Sequence, residues 1–124
     1  MIFWVEENIK ITYNNLIEDL IEGKSSFNLV GYKYFFNLLF FLKSDYNFKT
    51  LKTFQSYLLA NSSEKTFLIQ TSGTTSKPKN VKVSLKNCIR QVKIYSDDNS
   101  RVWGNCYPVK SYACTQVFFQ AFFN

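Results

Sequence analysis

The chain has 124 residues, enough for one domain or part of one, with an ordinary apolar fraction and a formal charge of +6. That apolar content argues against disorder, and the absence of histidine excludes a Ser-His or Cys-His nucleophile pair within the chain. Three cysteines, Cys88, Cys106 and Cys114, lack C-x-x-C spacing and read as free thiols in a reducing cytosol rather than as metal ligands.

Phe, Tyr, Asn, Lys and Ile are all abundant, a pattern of compositional drift in an AT-rich coding sequence. The net charge is therefore discounted as evidence for nucleic-acid binding, and the lysines read as a solvated surface. The N-terminus has no basic n-region and no cleavage-site pattern, so it is not a signal peptide. The longest apolar run, Tyr34 to Leu42, is interrupted by Asn37 and is far shorter than the ~20 residues that span a bilayer. No membrane partner and a cytoplasmic location are expected.

In chain order, Ile2 to Glu6 and Ile9 to Thr12 read as short strands joined at Glu7-Asn8. Tyr13 to Glu22 reads as a helix: Leu16, Ile17, Leu20 and Ile21 recur at helical spacing, Thr12 is placed to cap it and Gly23 to end it. Gly31 to Lys43 is an apolar helix, Asp45 to Asn47 a turn, and Phe48 to Ala60 a third helix with Leu51, Phe54 and Leu58 on one face. Lys65 to Thr71 is a strand, and Val81 to Val83 alternates as a short one. Ser84 is placed to cap a helix whose apolar positions are Leu85, Cys88, Ile89 and Val92. Ser96 to Ser100 reads as a loop, Val102 to Tyr107 as a strand and Ser111 to Phe123 as a helix. This order of elements is mixed α/β.

The chemistry concentrates in Phe67 to Val81, F-L-I-Q-T-S-G-T-T-S-K-P-K-N-V. Ser, Thr and Gly gather in ordinary turns for local reasons, and alone they would indicate a solvated turn. The apolar strand before, the Pro-Lys continuation and the capped helix after favour a phosphate-binding loop instead. Gly73 has no Cβ and lets the backbone approach an anion. Thr71, Ser72, Thr74 and Thr75 offer hydroxyl donors, and Lys79 is a point charge suited to phosphate oxygens. The arrangement differs from the G-x-x-x-x-G-K-[ST] P-loop, because Gly73 is the only glycine in the region.

The same stretch resembles the signature loop of the AMP-forming acyl ligases, the adenylate-forming superfamily, whose pattern is T-S-G-[ST]-T-G-x-P-K-G after a strand. Thr71, Ser72, Gly73, Thr74, Thr75, Pro78 and Lys79 match, while Ser76 and Asn80 stand where the family usually has glycine. Weaker, collinear likenesses flank it. Ile11 to Leu16 is similar to an early T-Y-x-x-L segment. Val83 to Asn87 is similar to V-x-x-S-H-x-N, with Leu85 where histidine is common. Trp103 to Pro108, then Ser111 to Cys114 and Gln116 to Phe122, resembles the next family segment, with Ser111 and Cys114 where the family usually has histidine and glycine.

The resemblance implies that residues 1–124 are a single, partial AMP-binding domain, the N-terminal subdomain of the adenylate-forming fold. It implies an ATP-dependent carboxylate ligase of the acyl-CoA synthetase type, using ATP with Mg2+ and, in a full-length relative, coenzyme A. Phosphate contact would come from Thr71, Ser72, Gly73, Thr74, Thr75 and Lys79, with no catalytic residue and no metal ligand assigned. The family's adenine-binding segment, ribose-binding aspartate and catalytic lysine lie downstream of the matched region. The expectation is therefore that this chain alone is inactive, and whether it is an enzyme in its own right is left open. Alternatives are a truncated or decayed product without activity, or a subunit of a split ligase completed by a partner chain. A basic, aromatic single-stranded nucleic-acid module ranks lowest, because most phenylalanines fall at core-like positions. The C-terminal helix, apolar nearly all round, is expected to leave part of its phenylalanine surface exposed, with marginal stability or self-association as the result.

Overall fold

The computed structural model describes residues 2–71, 79–94 and 109–124. These form a mixed α/β structure with two small antiparallel sheets and five helices, divided into two compact units, Met1–Ala60 and Asn61–Asn124. The strand expected over Val102 to Tyr107 and the loop expected over Ser96 to Ser100 lie outside the described residues.

The first unit opens with a hairpin of β1 (Ile2–Glu6) and β2 (Ile9–Thr12), with a register shift between Ile2 and Trp4. Glu6 pairs with Ile9, so only Glu7 and Asn8 reverse the chain, at φ 51° and 66°. Positive φ at both central residues is the two-residue geometry whose twist matches that of the flanking strands. Asn8 tolerates it, whereas Glu7 carries the cost of a Cβ in the left-handed region, about 1 kcal/mol.

Helix α1 (Tyr13–Glu22) begins at a capping box: Thr12 Oγ1 accepts from the Asn15 amide at 3.1 Å, and Asn15 Oδ1 accepts from the Thr12 amide at 2.9 Å. Gly23, at φ 75°, closes it by donating to the Asp19 carbonyl. Helix α2 (Val30–Lys43) buries Tyr32, Phe35, Phe36, Leu39 and Leu42 and leaves Phe41 on the surface. Helix α3 (Leu51–Ala60) starts three residues later than the apolar spacing suggested. Thr50 takes the capping position, its hydroxyl accepting from the Thr53 amide. Phe48 belongs to the preceding turn, and its ring stacks on Phe54 at 4.5 Å and 8°. A core contact made from outside the helix had mimicked a helical position.

In the second unit, β3 (Thr66–Thr71) and β4 (Lys79–Ser84) pair antiparallel from Thr66↔Ser84 to Thr71↔Lys79. Phe67 and Ile69 are buried while Leu68 and Gln70 face out, the period-2 alternation of a half-covered sheet. Ser84 caps α4 (Leu85–Ile89), and Leu85 and Lys86 donate their amides to the carbonyls of Lys65 and Ser62. The helix is shorter than the spacing through Val92 implied. Val92 donates to Ile89 in an i→i−3 turn, and the next residue, Lys93, exchanges both backbone bonds with the Gln120 side chain at 3.0 and 2.7 Å. That pairing holds the chain out of helical conformation.

Helix α5 (Tyr112–Phe122) is capped by Ser111, whose hydroxyl accepts from the Cys114 amide. Here the structure corrects the expectation of exposed phenylalanines. Phe118, Phe119, Phe122 and Phe123 are all buried, with Phe119 fully so and 6.3 Å from the Phe67 ring. The four rings also contact one another, at centroid separations of 5.1–6.4 Å from Phe118–Phe119 to Phe119–Phe122. The phenylalanines of α5 are thus buried in the structure rather than left exposed.

Candidate functional site

The geometry of the candidate loop is set by the β3–β4 pairing. Thr71 and Lys79, the described residues on either side of the loop motif, are direct partners across the hairpin. Thr71, the first of the loop residues named by the motif, is the last residue of β3. Lys79 is the first of β4 and is exposed. Ser72, Gly73, Thr74 and Thr75 lie outside the described residues, as do Ser76 and Pro78. The pairing therefore brings the two ends of the motif together, with seven residues of chain joining them. Asn80 sits in β4 opposite Gln70 and is not among the described residues with positive φ, so asparagine there needs no left-handed tolerance.

Upstream, buried Phe67 and Ile69 fix β3 on the core. Downstream, the Ser84 cap turns β4 directly into α4. Alternation in β3 and the hydroxyl cap at Ser84 are local signals, and the main-chain bond from Leu85 to Lys65, 20 residues apart, ties the start of α4 to the start of β3.

Two polar constellations in the first unit were not anticipated. Glu6 reaches from β1 to the N-terminus of α2, accepting from the amides of Gly31 and Tyr32 at 3.1 and 3.0 Å and from Trp4 Nε1 at 2.8 Å. Leu29, the residue at the cap position, supplies no side-chain bond, so a carboxylate 25 residues away satisfies the helix end. Partial burial works against ionisation, but these donors outweigh it and hold the Glu6 carboxyl below its ordinary value. A Cβ at Gly31 would lie 2.8 Å from Glu6 Oε1, which is why glycine stands there.

The second constellation centres on Asp19, 3% exposed, whose Oδ2 accepts from the Tyr32 hydroxyl at 2.7 Å and from the Ser26 amide and hydroxyl. Burial first, and the Asp19 carboxylate second, push the Tyr32 phenol far up, so it remains a donor at every ordinary pH. Both sets are satisfied internally and act as struts; neither presents an open position to a ligand. No local spacing could reveal them, because each joins residues from different elements.

A shallow groove of about 190 Å3 between α4 and α5 is lined by Cys88, Gln91, Val92, Gln116, Val117 and Gln120. It is smaller than the ~300 Å3 at which small-molecule sites begin. Burial pushes the Cys88 thiol up to about 12, which keeps it protonated and unreactive at neutral pH. Cys114 is buried as well, and Cys106 lies outside the described residues. Among the described residues, no group of three or more His, Cys, Asp or Glu side chains could hold a metal ion, and no helix is long and apolar enough to cross a membrane.

No family model matches the chain, and neither a curated protein nor a solved structure is significantly similar to it.

Proposed function

We propose that residues 71–79 are a phosphate-binding loop and that the chain is the N-terminal part of an ATP-dependent, AMP-forming carboxylate ligase. In this reading its two hairpins and five helices belong to the N-terminal subdomain of the adenylate-forming fold. The observation that supports it most is the Thr71↔Lys79 pairing, which makes the motif the connection between a strand buried on one face and a strand leading into a capped helix. Reversing the chain there needs two residues; seven are present, and five of them are Ser, Thr or Gly.

The donor set fits a polyphosphate. Hydroxyls at Thr71, Ser72, Thr74 and Thr75, main-chain amides around Gly73 and the Lys79 ammonium are all donors. From Lys65 to Ser96 there is no carboxylate to repel an anion. For the same reason this segment offers no acidic ligand to Mg2+, which would be carried by the phosphates and water. Bound ATP would supply an electrophilic α-phosphorus, with pyrophosphate as the leaving group when a carboxylate attacks. The part of this chain is to hold the β- and γ-phosphate oxygens and to neutralise charge on the departing pyrophosphate through Lys79. Coenzyme A is the thiol acceptor consistent with this class.

The test is a pyrophosphate titration followed by 1H–15N NMR. Amide shifts should be confined to residues 70–80, and Lys79→Ala should weaken binding about tenfold, as expected for loss of one charge-assisted bond. If the family's glycine at this position uses φ > 0, Ser76→Gly should tighten binding, because glycine carries no penalty for a left-handed backbone. Shifts distributed elsewhere, or an affinity unchanged in Lys79→Ala, would overturn the assignment.

A further inference from the structure

Division into two compact units changes what the charge of the chain means. Residues 1–60 hold six basic and six acidic residues, whereas residues 61–124 hold nine and three, so the entire formal excess of +6 belongs to the second unit. From Lys65 to Ser96 there are seven basic residues and no acidic one. Compositional drift accounts for abundant lysine, but it acts on both halves alike and does not remove acids from one of them. The segregation therefore calls for a partner.

The described basic side chains are also displayed on the surface. Lys82, Lys86, Arg90 and Lys93 are exposed, and Glu64 is the one acidic residue among the described part of this unit. Lys82 lies opposite Leu68 on the face of the β3–β4 hairpin turned away from buried Phe67 and Ile69. Gln70 and Asn80 form the neighbouring pair on that face, and both are exposed. Lys86 and Arg90 follow four residues apart, the spacing that aligns side chains on one side of a helical turn. Lysine, arginine and side-chain amides are the groups that contact phosphodiester oxygens. The unit's phenylalanines at positions 67, 118, 119, 122 and 123 are buried, so none of these five offers the stacking platform that single strands require.

We infer that the exposed basic side chains of the second unit, Lys82 on the outward face of the β3–β4 hairpin and Lys86 and Arg90 at α4, bind the phosphodiester backbone of a nucleic-acid duplex without reading its sequence. This surface is separate from the 71–79 connection and does not rest on the ligase reading.

Fluorescence anisotropy of the full chain with a labelled 20-base-pair DNA duplex tests it. Binding should weaken on the order of 10²-fold between 50 and 200 mM salt, as release of about four counterions requires. Lys82→Ala with Lys86→Ala should weaken binding at least tenfold at low salt and lower the salt slope by about two. The same change at Lys33 and Lys52 in the first unit should leave both quantities unchanged. Lys79→Ala, which removes pyrophosphate binding on the reading above, should cost no more than one further contact, so the two assignments fail independently. The variants alter exposed side chains, and retention of the wild-type NMR spectrum verifies their fold. The inference is overturned by salt-independent binding or by equal losses in the Lys33/Lys52 control. It is also overturned if poly-glutamate or phosphatidylserine vesicles bind tightly and the duplex does not compete, since the partner is then an acidic protein or a membrane.

Discussion

The two hairpins of this protein solve the same problem with different means. In β1–β2, two residues reverse the chain and the strands are anchored by a charge: Glu6, next to the turn, grips the start of α2. In β3–β4, the strands are anchored by packing, with Phe67 and Ile69 buried and Phe119 near Phe67, and seven residues make the connection. A hairpin stabilised at its base does not depend on a tight turn at its tip. The contrast teaches that the length and hydroxyl content of 72–78 are not explained by chain reversal, which Glu7-Asn8 accomplishes with less.

The largest effect should come from the packing anchor. Phe119→Ala removes a fully buried ring and is expected to cost about 3–5 kcal/mol, measured by urea unfolding. It should disperse the NMR signals of β3, β4 and α5 before those of the first unit. A loss below about 1 kcal/mol would mean that β3–β4 is not held by its core.

Next comes the charge anchor. Glu6→Ala removes the acceptor of three hydrogen bonds and should cost about 2 kcal/mol. Because the folded carboxyl titrates below its ordinary value of 4.5, its contribution is complete above pH 4.5 and is lost as pH falls through the lower folded value. The urea midpoint of the wild type should therefore decline across that acidic window, and Glu6→Gln should flatten the decline. Equal profiles would break the contrast between a charged and an apolar anchor.

The smallest effect on stability should come from exchanging the connection. Replacing residues 72–78 by Asn-Gly would join Thr71 to Lys79 as Glu7-Asn8 joins Glu6 to Ile9. Stability should change by less than about 1 kcal/mol, since closure entropy varies only slowly with the number of residues joined. Pyrophosphate-induced shifts should vanish. Unfolding of the second unit would show instead that the long connection is structural.

What the sequence revealed follows from the range of each interaction. The cap at Thr12, the stop at Gly23 and the cap at Ser84 all act within four residues, and each is where local chemistry puts it; Ser111, read as the first residue of the last helix, is its cap. The late start of α3 and the early end of α4 depend on Phe48 reaching a core from outside a helix and on Gln120 capturing Lys93 from 27 residues away. The burial of α5 is not legible in its own sequence, because an all-round apolar helix does not say which elements cover it; in the structure Phe119 lies near Phe67 of β3 and the rings of α5 contact one another. Of the candidate site, the ends and their chemistry were legible in T-S-G-T-T-S-K-P-K, but the pairing of Thr71 with Lys79 depends on strand register. The segregation of charge became meaningful only once the boundary near residue 60 was known.

The grip of α5 on Lys93 has a mechanical meaning of its own. The Lys93 carbonyl accepts from both Gln120 and Asn124, at 2.7 Å each, while Gln120 also receives the Lys93 amide. Ser111 caps the other end of the same helix. A pull applied at Lys93 is therefore carried directly to the last turn of α5 through three hydrogen bonds, so the two segments give way together or not at all.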